Sequence, residues 1–486
     1  MMQEILNQRL SGVILHPTSL PSNNGPGRLG AEAYAWIDWL HQAGFKMWQI
    51  LPLTPVADGS PYNSYSAFAG NTDLIDADQL QYMGFPGLDK SQPLGGSTSA
   101  TDSILRPYFH WLNKQSEHGV KGELNQFIQQ TDWLRDYCLF RIIKQRHMGS
   151  WIDWPEELRS RNEHALETVE SENKEEYQFQ QFLQFLFHKQ WHQLKQHANN
   201  KGIKILGDLP IFVAHDSADV WACQSLYKLE PNGHPTVVAG VPPDYFSATG
   251  QRWGNPIYHW QNHQDSNFEW WIRRINHSLT LYDVVRIDHF RGFVACWEIP
   301  ADEPTAINGH WVDAPGEQLF EQLLKERGNL PLVAEDLGII TDEVVALRKR
   351  FNLLGMKILH FAFDSDGFNP YLPHNHTHDS IIYTGTHDNN TTVGWYQELS
   401  PEIKDRVMDY FSQPSEAMPW PLIKSALASP ANWALVPLQD LLELGGEHRM
   451  NTPGTVENNW QWQFQWSQVP EDLAQRLSHL NHLYLR

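Results

Sequence analysis

Cysteine is scarce. Cys138, Cys223 and Cys296 are the only three in 486 residues. They lie far apart and form no C-x-x-C pair, so neither a disulfide framework nor a zinc site is implied. Long hydrophobic runs are also missing: none approaches the roughly 18 residues of a membrane span. The segment Met1 to Leu10 lacks the apolar core of a signal peptide, and a reducing cytoplasm is the expected location. Positive charge is in short supply, with 36 Lys and Arg against 57 Asp and Glu and a net charge of −21. That balance argues against nucleic acid or an anionic membrane as partner and favours a neutral substrate.

What is present reads as a large globular chain, 41% hydrophobic and 19% charged. Trp, Tyr and Phe are abundant; their faces pack cores and also stack on sugar rings. Short apolar runs alternate with helical periodicity. Strand candidates are Ser11 to Pro17, Phe45 to Leu53, Gly202 to Pro210, Asp283 to Phe290, Leu330 to Asp336, Met356 to Phe363, Ile381 to His387 and Trp433 to Leu438. Helices are expected over Ala31 to Gly44, Lys174 to Asn199, Asn267 to Tyr282 and Thr341 to Phe351. Strands joined by helical crossovers predict an α/β (β/α)8 TIM barrel, with an open doubly wound sheet as the alternative. One barrel spans 1–486, with a mainly helical insertion over 54–200 and a loop insertion over 231–264 near the site. Gly25-Pro26-Gly27-Arg28-Leu29-Gly30 matches G-x-G-x-x-G literally. It starts too far after its strand and has no acid downstream for a dinucleotide.

Several strands end in acids. In Asp283-Val284-Val285-Arg286-Ile287-Asp288-His289-Phe290, Arg286 and Asp288 fall on one face. The cation is expected to keep Asp288 ionised, as a nucleophile requires. Glu335 and Asp388 end later strands, and in a barrel such ends share one rim. Two carboxyls about 5 Å apart perform retaining glycosyl transfer, one attacking the anomeric carbon and the other protonating the leaving oxygen. Glu335 suits the acid role, because a neighbouring carboxylate raises its pKa. Asp388 suits binding of sugar hydroxyls, with His289 and His387 as donors. A magnesium site built from the same acids is a rival, although Arg286 competes with any cation beside Asp288. His374, His376 and His378 alternate and could hold zinc, but no fourth ligand is evident.

These residues resemble a known family. Val285-Arg286-Ile287-Asp288-His289-Phe290, Ala334-Glu335-Asp336-Leu337-Gly338 and Tyr383-Thr384-Gly385-Thr386-His387-Asp388-Asn389 resemble the α-amylase clan. Ser60-Pro61-Tyr62, Gly207-Asp208-Leu209-Pro210, Val241-Pro242-Pro243-Asp244-Tyr245-Phe246, Gln251-Arg252-Trp253-Gly254-Asn255-Pro256 and Arg449-Met450-Asn451-Thr452-Pro453-Gly454-Thr455 narrow the resemblance to amylomaltases. These are 4-α-glucanotransferases, also called disproportionating enzymes. The resemblance implies a (β/α)8 barrel with inserted subdomains and no separate C-terminal β-domain. It implies retaining double displacement on α-1,4-glucans and maltooligosaccharides, with glucose as acceptor and no cofactor or metal. By the same resemblance Asp288 is the nucleophile, Glu335 the acid/base and Asp388 the transition-state stabiliser. Tyr62, Asp208, Asp244, Trp253, Asn255, Arg286, His289, His387 and Asn459 are the substrate-binding residues. Loops carrying Tyr245-Phe246 and Trp253 would exclude water and favour transfer. Trp462-Gln463 departs from the pattern, since an Arg is expected after the second Trp. An α-1,4-glucan hydrolase and a non-catalytic glucan-binding protein are the alternatives.

Overall fold

The computed structural model describes residues 5–23, 25–87, 100–115, 119–243, 247–455 and 457–486. Its strands, in chain order, are β1 (Leu10–Ile14), β2 (Met47–Gln49), β3 (Lys204–Leu209), β4 (Val237–Val241), β5 (Gln251–Pro256), β6 (Val284–Ile287), β7 (Ala295–Pro300), β8 (His310–Asp313), β9 (Leu332–Ala334), β10 (Gly355–Ile358), β11 (Ser380–Tyr383) and β12 (Trp433–Pro437). Eight of them form a parallel sheet in the order β10-β11-β12-β1-β2-β3-β6-β9. Its two ends meet: Val333 bridges Leu354, and the Ala334 N–H donates to the Leu354 carbonyl at 2.9 Å. The expected eight-stranded barrel is therefore the fold. Each ladder is shorter than its apolar run. Phe45 to Leu53, for example, contributes Met47–Gln49 as strand, with interstrand bonds reaching out to Lys46 and Ile50.

Side chains alternate along each stave, and this period of two builds the site. Leu10, Ile14, Met47, Leu206, Val284, Val333, Met356, Ile381, Tyr383 and Leu435 form one buried cluster inside the barrel. Val13, Ile205, Val285, Ile382 and Val436 point the other way, into the core shared with the helices. Gly12 sits where the interior is tightest, since a Cβ there would lie 2.4 Å from the Met47 carbonyl and 2.5 Å from Leu435. Continuing the inward series by two residues converts apolar to polar. Met47 leads to Gln49, Leu206 to Asp208, Val284 to Arg286 and then Asp288, and Val333 to Glu335. Tyr383 Oη donates to Gln49 Oε1 at 3.0 Å within this polar layer.

Between β2 and β3 the chain makes helices Ala100–Asn113, Gly119–Gln130, Leu134–His147 and the 27-residue Lys174–Asn200. The last is the hub, because Phe179 and Phe182 pack on Phe109, and Phe185 on Phe127. The helix expected over Ala31 to Gly44 runs Ala31–Gln42 and ends at Gly44, whose φ of +79° suits glycine. The helix read over Asn267 to Tyr282 begins later, as Glu269–Leu281, because Asn267 and Phe268 have φ of 52° and 59°. The stretch 231–264, read as a loop, carries β4 and β5. With β7 and β8 they form a separate antiparallel sheet in the order β5-β4-β7-β8. β5 is largely exposed and lacks alternating hydrophobicity, so its sequence gives no strand signal. No helix among the described residues is long and apolar enough to cross a membrane.

Candidate active site

The site begins with one rung of the barrel. Asp208 on β3 and Arg286 on β6 are register partners. Arg286 Nη1 lies 2.7 Å from both oxygens of Asp208, and Nη2 lies 2.9 Å from Asp288 Oδ1. Arg286 and Asp208 are buried, whereas the Asp288 side chain is 30% exposed at the open end. One guanidinium thus links a buried carboxylate below to an accessible one above. The cation does not act alone on Asp288. Burial outweighs the attraction and raises the Asp288 carboxyl to about 6; Arg286 opposes the rise, while Asp208 and Asp388 add to it. Asp288 is still ionised at neutral pH.

Glu335 follows β9 and is held by backbone. The His289 N–H donates to Oε2 at 2.7 Å and the Leu337 N–H to Oε1 at 3.2 Å. His289 can aim its N–H this way because its backbone is left-handed, with φ of 51°, an uncommon conformation for a residue other than glycine. Burial, with the nearby negative Asp288, raises Glu335 to about 8 despite the favourable pull of Arg286. Two carboxyls bridged by one peptide unit are thus tuned apart, one ionised and one protonated at pH 7. The raised pKa expected of Glu335 is present, but burial is its main cause and the neighbouring carboxylate a lesser one.

Asp388 and His387 follow β11. Tyr62 Oη lies 2.6 Å from Asp208 Oδ2 and 2.8 Å from His387 Nε2. The carboxylate can only accept, so the phenol proton goes to Asp208 and the phenol oxygen accepts from His387 Nε2–H. The Nδ1 of His387 is buried without a partner. His387 Nε2 is also 3.4 Å from Asp388 Oδ2. Asp388 takes a second hold from Asn451, whose Nδ2 donates to Oδ1 at 2.6 Å. Arg449 ties both down, donating to the Asp388 carbonyl at 3.0 Å and the Asn451 carbonyl at 2.8 Å. Asn459 accepts from the Thr452 N–H at 2.9 Å and so braces the Arg449 to Thr455 loop. Trp460 beside it lies 5.8 Å from the Tyr62 ring and 5.9 Å from His387.

At the rim, Trp253 on β5 stands edge-on to the His289 ring at 4.8 Å and is 38% exposed. Burial, then Arg291, lowers His289 to about 3, so its imidazole is neutral. Tyr62, Asp208, Arg286, Asp288, His289, Glu335, His387, Asp388 and Trp253 therefore converge. Asn255 does not join them, since its amide donates to the Val213 carbonyl at 2.9 Å and anchors β5. Asp244 lies outside the described residues, as do Tyr245 and Phe246. Gln463 Nε2 reaches the carbonyls of Thr18, Leu20 and Gly25 at 3.0–3.3 Å, tethering the loop after β1 where the family pattern expects an Arg. Asn459-Trp460 resembles a late substrate-contacting motif of the family, and Trp460 does stand beside Tyr62 and His387; Arg449 and Asn451 fall in another motif of the same resemblance, without a role of their own from sequence.

Metal chemistry finds little support in the donor set. Arg286 occupies the cation position between Asp208 and Asp288. Among the described residues no group of three or more His, Cys, Asp or Glu is arranged to hold a metal ion. His376 spends both ring nitrogens on Ser429 and the Tyr371 carbonyl, and His374 on Tyr410 and the Gly367 carbonyl.

A family model described as 4-alpha-glucanotransferase matches residues 15–468. The 4-alpha-glucanotransferase of Synechocystis sp. is 47% identical over 99% of this chain and 99% of its own. That of Thermus thermophilus is 46% identical over 96% of this chain and 97% of its own. Among solved structures, the amylomaltase from Streptococcus agalactiae in complex with acarbose has a TM-score of 0.93 at 39% identity, covering 99% of this chain and 100% of that one. The amylomaltase from Corynebacterium glutamicum, 16% identical with a TM-score of 0.77, covers 99% of this chain and 76% of its own and shares the fold.

Proposed function

Because the chain belongs to the 4-alpha-glucanotransferase family, we propose that it moves α-1,4-glucan segments from a donor maltooligosaccharide to an acceptor glucan or glucose by retaining double displacement. The observation that carries this reading is the split between two adjacent carboxyls. Asp288 is in contact with Arg286, whereas Glu335 is held by two backbone amides away from that cation, and burial raises its carboxyl further than that of Asp288.

In the first step an Asp288 oxygen attacks the anomeric carbon. The bond from that carbon to the glycosidic oxygen breaks, and Glu335 delivers its proton to the departing oxygen. The donor's leaving portion departs, and the rest of the glucan stays esterified to Asp288. In the second step an acceptor hydroxyl gives its proton to the Glu335 carboxylate and attacks the same carbon, releasing Asp288. Two inversions give net retention. Asp388, oriented by Asn451, accepts from sugar hydroxyls and favours the ring distortion of the transition state. Tyr62 closes one wall of the reacting subsite, Trp253 offers an accessible ring at the mouth, and Asn459 supports the loop carrying Asn451.

The segment 54–200 serves in this reading as an insertion between the second and third staves, and 231–264 as the sheet presenting Trp253. A cytoplasmic setting fits the three free cysteines. The deciding experiment is a product profile from maltotriose without added metal. A ladder of longer maltooligosaccharides with glucose released, and few new reducing ends, is expected. Steadily rising reducing ends would make the protein an α-1,4-glucan hydrolase, and unchanged substrate would favour a binding protein. Asp288→Asn is expected to lower transfer by about four orders of magnitude or more with the fold retained.

A further inference from the structure

The barrel is thinnest in pairing where its two ends meet. β9 and β10 share a single bridge, Val333 to Leu354, and the acid/base follows directly on this seam. Side chains alternate here as in the other staves. Val333 points into the barrel interior, and Leu332 and Ala334 point into the core shared with the helices. Glu335 continues the inward series and Asp336 the outward one.

Asp336 joins the two staves through its side chain. The Met356 N–H on β10 donates to Asp336 Oδ1 at 2.7 Å. Asp336 Oδ2 lies 3.2 Å from Arg348 Nε, on helix Asp342–Arg350. Arg348 in turn donates to the carbonyls of Leu353 and Asp379 at 3.0 Å each, so it also holds the starts of β10 and β11. Gly355 makes the approach possible, since a Cβ there would lie 2.5 Å from Asp336 Oδ2 and 2.9 Å from Oδ1. Asp336 and Arg348 are both buried, so neither meets a substrate. The next residue, Leu337, supplies the N–H that donates to Glu335 Oε1 at 3.2 Å. Fixing Asp336 therefore fixes the backbone on both sides of it, Glu335 and its donor.

We propose that Asp336 is a positioning residue for the acid/base: it closes the seam beside Glu335, holds that carboxyl in register with the departing oxygen, and acts on it by its negative charge. Burial is the main cause of the raised Glu335; Arg286 and the His289 amide oppose the rise, while Asp288 and then Asp336 add to it. Asp336 is itself raised by burial, against the Met356 amide and the cations Lys357 and Arg348. Asp379, across Arg348, and the Tyr371 phenol also face it. That the reaction served is glucan transfer rests on the transferase reading.

The test compares purified full-length variants with maltotriose. Asp336→Ala removes both the acceptor and the charge. It should lower kcat about 30- to 100-fold, the cost of a misplaced group at the reacting centre, with KM within about 2-fold. Gly355→Ala keeps the charge but pushes the carboxylate off β10, and should lower kcat in the same way. Asp336→Asn keeps an acceptor for the Met356 N–H and loses only the charge. At pH 6 its kcat should exceed that of Asp336→Ala about 10-fold. The basic flank of its kcat/KM profile should move down by roughly half to one pH unit, because an anion favouring protonated Glu335 is gone. Circular dichroism reports the fold of each variant, and if Asp336→Ala does not fold the flank of Asp336→Asn decides alone. An unmoved flank, equal losses in Asp336→Ala and Asp336→Asn, or a risen KM in place of a lowered kcat would each overturn the proposal. Failure of the transferase reading is recognised separately, as hydrolysis of maltotriose by the wild-type protein; the same comparisons then apply to hydrolysis, and no turnover at all would overturn both.

Discussion

Arg286 gives its two terminal nitrogens to different carboxylates, and the asymmetry sets the chemistry of their neighbour. Asp288 touches the guanidinium and Glu335 does not, so equal burial would still leave Glu335 the better proton carrier. The expected kcat/KM profile is a bell with flanks near 6 and 8, set by ionisation of Asp288 and protonation of Glu335. The flanks belong to the interacting pair rather than to either group alone. Arg286→Gln removes the cation that favours the charged form, so the acidic flank should move up and activity fall. A pH–rate series on purified protein checks this, and an unmoved flank would mean that the ion pair does not tune the nucleophile. Asn451 offers a gentler probe. Asn451→Ala frees one oxygen of Asp388 and should lower kcat about 10- to 100-fold, the cost of a misplaced group at the reacting centre, with the circular dichroism spectrum unchanged. Asp208, Arg286, Asp288 and Glu335 were legible in the sequence because they stand where apolar strand runs end in charged residues. Asn451 was legible only as a member of the Arg449 to Thr455 motif, without a role, because a loop has no period to read.

Strand elements were recognised from β-branched runs, yet their ladders are short. Residues flanking Met47–Gln49 are as apolar as those within it, since burial and pairing are separate constraints on a barrel stave. The sheet of β4, β5, β7 and β8 went unread because the sequence of β5, Gln251-Arg252-Trp253-Gly254-Asn255-Pro256, contains Gly, Pro and exposed charge. Its pairing is fixed by β4 rather than by local preference. Inside the barrel, the approach of β1 to β2 depends on the missing side chain at Gly12. Gly12→Ala would place a methyl against a backbone carbonyl that cannot rotate away. A loss of about 1–3 kcal/mol, the range for overpacking a core, is expected in denaturant unfolding. Unaltered stability would mean that the two staves can separate at no cost.

For the molecule as a whole, the acid/base is a point of tension. The folded state raises Glu335 from an ordinary 4.5 to about 8, so it favours the protonated form. The stability contributed by this group is full below about pH 4.5 and is lost as pH rises through 8. Glu335→Gln keeps a neutral group of the same shape at every pH. Its melting temperature should exceed that of wild type by about 2 °C at pH 9 and match it near pH 5. A gain at pH 5 as large as at pH 9 would point to packing instead of charge.

β1 is synthesised long before β12, yet one of its edges waits for that strand. At ~15 residues per second, the chain must grow for roughly half a minute between the two. Throughout that interval the ring cannot shut, and Leu10 to Ile14 present an open row of amides beside a half-built interior. The nascent chain therefore passes through a long sticky phase on the ribosome. Rare codons or a slow stretch before Trp433 should lower the soluble yield more than the same delay placed after Pro437.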